Sequence, residues 1–276
     1  MSKFQLSNRC GHVMSSPRLW PNPPSNSPLP LPAGPSFFSR NDFVDITAPK
    51  VPDSESIGLE ELRDYVGNHT FEDGSRVSDI IDLKNRRPLL IAGELANPYR
   101  LSDLMAPDMP IIPVRLEDIC RTWADNLDPR DIQPGIHHVT IVRSPGWWER
   151  SFITLLELPD MKKLVKWLDG HNSNTWAPKR LAEGKIRLET NMELMPPEFE
   201  QISWDGIEEK VEVKMPRPSG PALDLSTIMV PINTRSGCYN SRGRVNRCAH
   251  YLQTDFHEKM FRRGSSFKWS DMLDFL

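Results

Sequence analysis

Residues 199–215 read FEQISWDGIEEKVEVKM, which is two extended runs separated by Asp205-Gly206. An Asp-Gly pair between extended runs is the strongest short-range signal for a β-hairpin, because both residues tolerate the positive φ of a tight turn. In the second run charged and apolar residues alternate, which predicts one solvated face and one buried face. We therefore predict an antiparallel hairpin at 199–215, with a two-residue turn that pairs Trp204 with Ile207.

The segments before and after this hairpin mix helical and extended patterns without regular alternation. Extended runs are predicted at residues 88–93, 136–142, 152–158 and 185–194, and short helices at 59–67, 77–83 and 159–170. Apolar residues at helical spacing predict a further helix over residues 116–127 and a long one over residues 245–260. Because no repeated βαβ order is present, the predicted fold class is α+β with a largely antiparallel sheet.

The N-terminal segment is rich in proline and poor in acids. Eight prolines lie between Pro17 and Pro35, and residues 1–41 contain no Asp or Glu. This composition predicts a disordered, Pro-rich basic arm over residues 1–50. An organelle transit peptide is the alternative for a basic, Ser-rich start, although the prolines oppose the amphipathic helix that such peptides form.

Within this segment, Arg18, Pro21 and Pro24 have the R-x-x-P-x-x-P spacing that SH3 grooves bind. A polyproline II helix is already extended before binding, so docking costs little ordering entropy. The spacing predicts an SH3-type partner for the arm. The alternative is a chance match, which any Pro-rich segment produces.

Charge is distributed unevenly along the chain. Residues 1–50 carry five Lys/Arg and two acids, residues 231–276 carry eight and four, and residues 51–230 carry 21 and 31. These shifts divide the chain into the arm, an acidic α+β core at 51–230, and a basic C-terminal segment of loop and helices packed on that core. Opposite charges on one chain steer association, so self-association is one expectation.

The basic C-terminal segment is the clearest candidate for a binding site. It contains Tyr239 and six arginines, namely Arg235, Arg242, Arg244, Arg247, Arg262 and Arg263. Arginine forks bind phosphate or carboxylate in a bidentate manner, and a tyrosine ring stacks on bases. The segment therefore predicts contact with nucleic acid or with an acidic protein surface. In the alternative, the arginines pair with the acidic core of the same chain or of a neighbouring copy.

Two further sets of residues are candidates for chemistry. His137 and His138 lie on a predicted strand, so their side chains point to opposite faces, and catalysis would require a carboxylate from a distant segment. This pair carries the alternative function, a hydrolytic enzyme. The second set, four residues with metal-binding side chains, consists of Cys238, Cys248, His250 and His257. Its spacing matches no common zinc module, so core cysteines beside surface histidines are predicted, with a zinc site as the alternative.

Together these features favour a non-enzymatic binding or assembly protein without a cofactor. Its general composition is that of viral structural and nucleic-acid-associated chains, an analogy of composition alone. Four cysteines without framework spacing predict a reducing intracellular compartment, the cytoplasm or the nucleus. No apolar run is long enough for a transmembrane helix, so no membrane span is predicted.

Overall fold

Strands dominate the part of the chain that the computed structural model describes, which is residues 28–40, 42–127, 137–169, 175–233, 237–241, 243–260, 265–267 and 274–276. The strands are β1 Ser36–Ser39, β2 Asp42–Asp45, β3 Ser56–Ile57, β4 Arg87–Leu90, β5 Met109–Leu127, β6 His137–Leu156, β7 Trp176–Lys179, β8 Lys185–Leu188, β9 Ile202–Trp204, β10 Glu209–Val211, β11 Ala222–Leu223, β12 Val230–Asn233, β13 Cys238–Ser241, β14 Arg244–Val245 and β15 Ser265–Phe267. The helices are α1 Leu59–Gly67, α2 Val77–Ile80, α3 Pro98–Asp103, α4 Leu158–Leu168 and α5 Gln253–Asp255. The predicted α+β class is confirmed.

The central element of the main sheet is β5, a strand of 19 residues. It pairs with β1 near its start, with β8 over its first half, with β6 along most of its length and with β13 near its end. All of these pairings are antiparallel, whereas β3 and β11 pair in parallel. The largely antiparallel sheet is thus confirmed, and β13 of the basic C-terminal segment belongs to the same sheet as the core.

The sheet is covered on both faces, which explains its apolar strands. Leu90 packs into one core with α1 and α2, while its neighbours Leu89 and Ile91 pack into a second core with α3 and α4. A strand buried on both faces is apolar at successive positions and not at alternate ones. The predicted strand at 88–93 is accordingly present as β4.

The helix predicted over residues 116–127 is wrong, because these residues belong to β5. A bulge explains the misleading periodicity: Glu117 pairs with Trp148, and Ile119 pairs with Arg143. Asp118 lies between them with a φ of +61°. The left-handed conformation of Asp118 shifts the alternation in β5, so Leu116 and Ile119, three apart, reach the same core and imitate a helical stripe.

The long helix predicted over residues 245–260 is also largely wrong. Helical structure begins only at α5 and continues as a π-helical turn over Phe256–Met260. Before α5, Arg247 bridges to Thr122, and the Cys248 N–H donates to the Arg121 carbonyl at 2.9 Å. Backbone pairing with β5 therefore supplies the hydrogen bonds that a helix would otherwise have made.

The folded region begins earlier than the sequence predicts. Residues 36–45, assigned to the disordered arm over 1–50, form β1 and β2, and β1 pairs with β5. The rings of Phe37 and Phe38 are buried in opposite cores. Two adjacent aromatic residues fit neither a helical nor an alternating apolar pattern. Their strand conformation therefore follows from the pairing with β5 and not from the local sequence. Residues 1–27 lie outside the described residues.

The hairpin at 199–215 is present as β9 and β10, but its register differs from the prediction. Trp204 pairs with Glu209 and not with Ile207, and Trp204 is half-buried. The connecting turn thus has four residues, and the Asp205 carboxylate accepts the N–H groups of Ile207 and Glu208 at 2.8 and 2.9 Å. Gly206 supplies a φ of +100°. Glu209 lies on the same face of β10 as Val211, and Ile207, now in the turn, is exposed.

His69 is a buried histidine at the end of α1. Its Nδ1 donates to the Tyr65 carbonyl at 3.1 Å, while its Nε2 is buried without a hydrogen-bond partner among the described residues. Burial lowers the pKa of His69 from 6.5 to about 4. The folded protein therefore keeps this imidazole neutral at pH values where the unfolded chain protonates it.

We expect this histidine to weaken the fold in acid. As the pH falls from 6.5 towards 4, the unfolded chain takes up a proton that the folded chain does not, so the free energy of unfolding decreases. The difference reaches roughly 3 kcal/mol. Urea titrations of the wild type and His69→Gln should show the two proteins diverging by this amount between neutral and acidic pH. Parallel pH profiles would contradict the expectation.

Candidate functional site

A bulge in β6 forms a socket for the basic C-terminal segment. Residues 144–147, Ser-Pro-Gly-Trp, lie opposite the single residue Asp118 of β5. Pro145 has no N–H to donate, and Gly146 adopts a φ of +74°, so both suit a break in the ladder. The Gly146 N–H donates to the Asp118 carboxylate at 2.8 Å, and Trp147 is fully buried.

Arg247 occupies this socket. Its guanidinium lies 4.8 Å from the centre of the Trp147 ring and donates to the Ser144 hydroxyl at 2.9 Å. It also forms an ion pair with Glu209 of β10, at 3.0 Å between Nη2 and Oε2. The Arg247 side chain is almost completely buried, and Glu209 is nearly so. Arg247 therefore joins the C-terminal segment to both β6 and the hairpin.

Arg244 shares the same carboxylate from a more exposed position. Its Nε donates to Glu209 at 3.2 Å, and its guanidinium lies 4.6 Å from the centre of the Phe199 ring. Glu209 also accepts the Val245 N–H at 3.1 Å. One carboxylate thus faces two guanidinium groups.

Large apolar side chains are exposed in the segments that carry Phe199 and His250. The exposed fractions are 75% for Met195, 56% for Leu252 and 42% for Phe199. His250 connects this region: its ring contacts Phe199, and its Nε2 donates to the Pro197 carbonyl at 2.9 Å. We call Arg244, Phe199, Met195 and Leu252 the Phe199 surface.

The structure corrects the predicted set of binding arginines. Arg247 is buried and already neutralised, so it is not available to a polyanion, whereas Arg244 is partly exposed. Tyr239 lies in β13, where it pairs with Ser266. The remaining predicted residues lie outside the described ones: Arg235, Arg242, Arg262 and Arg263 of the basic segment, and Arg18, Pro21 and Pro24 of the arm.

The four candidate metal ligands do not converge. Cys238 is a core residue opposite Ala124, and Cys248 lies beside β5, where burial raises the pKa of its thiol well above the usual value. His250 packs on Trp147, while His257 lies 3.0 Å from His137. Within the described ranges, no three His, Cys, Asp or Glu residues are arranged to hold a metal ion.

The two adjacent histidines do face opposite sides of β6, and each has a partner. His138 Nδ1 lies 2.8 Å from an oxygen of Glu94, and both side chains are buried. The cavity lined by Glu94, Thr140 and Trp176 has a volume of about 20 Å³, which is room for about one water molecule. A His–carboxylate pair is therefore present, in a space too small for an organic substrate.

Sequence reasoning missed the residues that create the surface, namely Met195, Phe199, Glu209 and Trp147. Phe199 and Met195 belong to a Pro-rich stretch that has no periodicity. One signal for the socket was available, because Ser144-Pro-Gly-Trp147 interrupts two predicted strands with residues that break a ladder. Glu209 could not be identified, because its arginine partners lie 35 and 38 residues later in the chain.

No helix in the described part of the chain is long and apolar enough to cross a bilayer. Cys120 and Cys248 are free thiols. In comparisons with protein-family models, curated proteins and solved structures, no match to this chain was found.

Proposed function

We propose that this chain is a non-enzymatic binding protein that contacts an acidic protein partner through the Phe199 surface. The observation that carries the proposal is the position of Arg244 over the half-exposed ring of Phe199, with Met195 and Leu252 exposed on the segments that carry Phe199 and His250. Arginine, aromatic residues and methionine are enriched at protein–protein interfaces, and arginine and aromatic anchors supply much of their binding energy.

The remaining N–H donors of Arg244 favour an acidic partner. Arg244 and Arg247 both pair with Glu209, so two positive groups share one negative group. The Arg244 Nε contacts Glu209, and a guanidinium has four further N–H donors. A carboxylate on a partner would take up this remaining donor capacity.

The apolar side chains favour a protein over a nucleic acid. Met195 and Leu252 gain nothing from a phosphate backbone, whereas leucine, phenylalanine or methionine side chains of a partner would bury them. The burial of Arg247 also removes one of the arginines expected to bind phosphate. The cavity beside the His138–Glu94 pair, of about 20 Å³, gives the hydrolytic alternative no room for an organic substrate at that pair.

The test is binding of the full-length protein to an array of peptides that combine Asp or Glu with Leu, Phe or Met. We expect the wild type to bind peptides that contain both residue types. The variant Arg244→Ala, and a double variant with Met195→Ser and Leu252→Ser, should each bind these peptides about tenfold more weakly or worse. Lys210→Ala, which removes an exposed charge from the outer side of β10, is the matched control and should bind like the wild type.

Oligonucleotide binding, measured by fluorescence anisotropy at several salt concentrations, distinguishes the other outcome. Under the proposal, Arg244→Ala leaves any such binding unchanged. If Arg244 grips phosphate, its removal should lower the slope of log K against log salt by about 0.7–0.9. A lower salt slope for Arg244→Ala, together with no binding to any peptide of the array, would indicate that the partner is a nucleic acid and not an acidic protein.

A further inference from the structure

Residues 274–276, Asp-Phe-Leu, form a short extended segment that lies against residues 180–182, between β7 and β8. One N–H of each segment donates to a carbonyl of the other, at 2.9 and 3.0 Å. Leu181 and Phe275 thus face each other across an antiparallel bridge. Backbone pairing of this kind is how a strand edge receives an extended peptide, with affinity from the backbone and specificity from the side chains.

Two side chains make the pairing selective. Phe275 is partly buried and packs against the core that contains Leu181, α1 and α2. The Asp274 carboxylate lies 3.3 Å from Arg143 Nη2, and the Asp274 N–H donates to the Glu183 carboxylate at 2.6 Å. Arg143 donates to the same carboxylate at 2.7 Å, so Glu183 holds the guanidinium beside the bound segment. The site therefore accepts an acidic residue followed by an aromatic one.

The stretch of chain that forms this edge carries exposed positive charge. Lys179, Arg180 and Lys185 are exposed, and the salt bridges of the described residues use none of them. Glu183, which pairs with Arg143, is the acid of this stretch. Exposed cations beside a docking edge favour the approach of an acidic peptide over a basic one.

The contact of the 274–276 segment with this edge is small. It consists of the two backbone hydrogen bonds, the contacts of Asp274 with Arg143 and Glu183, and one partly buried ring. The Asp274 side chain is 70% exposed, and Leu276 is 68% exposed. Elements with few buried contacts open locally at a low cost in free energy. A peptide from another molecule can therefore take the place of this segment.

We infer that residues 180–182, with Arg143 and Glu183, form a docking site for an extended peptide of a partner protein in which an acidic residue precedes an aromatic one. The 274–276 segment occupies the site and competes with the partner from within the same chain. The docking site shares no residue with the Phe199 surface, so this inference does not rest on the proposed function.

Fluorescence anisotropy with a labelled peptide tests the inference. The peptide has the sequence of residues 270–276, Ser-Asp-Met-Leu-Asp-Phe-Leu, with both ends blocked. A full-length variant with Asp274→Ser and Phe275→Ala releases the chain's own segment. It should bind the peptide at least about tenfold more tightly than the wild type, because the internal competitor is removed. Asp274→Lys, which keeps the ring but places a like charge beside Arg143, is a second release variant and should also bind more tightly.

Changes in the peptide and in Arg143 identify the site. Replacing Phe of the peptide by Ala should weaken binding to the first release variant by about tenfold or more, because the ring is the buried anchor. Adding Arg143→Ala to that variant should weaken binding about threefold, within the range of exposed ion pairs. Replacing the Asp before Phe by Asn should then cause no further loss, because its partner is already absent. Lys162→Ala, on α4 in the other core, is the matched control.

The melting temperature shows which release variants are folded. A folded release variant that binds no peptide would overturn the inference, as would a wild type that binds the peptide as tightly as both release variants. If Arg244→Ala weakens the binding and Arg143→Ala does not, the peptide lies on the Phe199 surface. That outcome would overturn this inference and support the proposed function.

Discussion

Replacing Arg247 with methionine is expected to lower the free energy of unfolding by about 3 kcal/mol, the lower end of the range for breaking a buried ion pair, because Glu209 then keeps only the more exposed Arg244 and the Val245 N–H as partners. Methionine fills part of the socket but cannot pair with Glu209 or donate to Ser144. The face of the Trp147 ring also loses its cation. Urea denaturation followed by tryptophan fluorescence measures the change directly.

Arg244→Met is the matched control, because Arg244 contacts the same carboxylate from a more exposed position. Its cost should be under about 1 kcal/mol, the range of exposed ion pairs. Adding Glu209→Gln to Arg247→Met should recover part of the stability, since the carboxylate charge that Arg247 no longer neutralises is then absent. Equal urea midpoints for Arg247→Met and Arg244→Met would contradict the buried ion pair. Arg247 would then again be a candidate for binding a partner.

Replacing Phe38 with alanine is expected to cost about 3–5 kcal/mol, because the ring is completely buried between the sheet, α3 and α4. Were residues 1–50 all disordered, as the composition suggests, this substitution would leave stability unchanged. The same denaturation measurement therefore decides where the folded region begins.

Val44→Ala provides the control for Phe38→Ala. Val44 lies on the neighbouring strand β2 with its side chain partly exposed, so its truncation should cost under about 0.5 kcal/mol. If both variants unfold like the wild type, β1 is not packed on β5 in solution. If only Phe38→Ala is destabilised, the described N-terminal boundary is correct.

Local patterns predicted several elements correctly. The stripe that begins near Pro159 is α4, the stripe that ends at Gly67 is α1, and Asp205-Gly206 does reverse the chain. In each case the determining interactions lie within a few residues, through helix periodicity or turn geometry. The predicted register of the hairpin was nevertheless wrong. Asp-Gly is compatible with a two-residue turn, but here the Asp205 carboxylate accepts two N–H groups and stabilises a four-residue turn.

The candidate site was predicted only in its general character. The concentration of arginine near the C-terminus pointed to the correct segment, and pairing with the chain's own acidic core was one of its alternatives. Which arginine is buried and which is exposed depends on the β6 bulge and on Glu209, and neither is near in sequence. The exposed residues that accompany Arg244 come from a segment about 45 residues earlier, at Met195 and Phe199.

The sequence by itself determined the fold class, the amphipathic helices, the turn at Asp205 and the opposite charges of the core and the C-terminal segment, since each follows from composition or from neighbouring residues. The tertiary structure alone decided that residues 109–127 form a strand, that Phe38 is in the core and that Arg247 is buried. Arg247 contacts Ser144 across 103 positions and Glu209 across 38. Contacts over such separations form only when the sheet assembles, so they cannot be predicted from local periodicity.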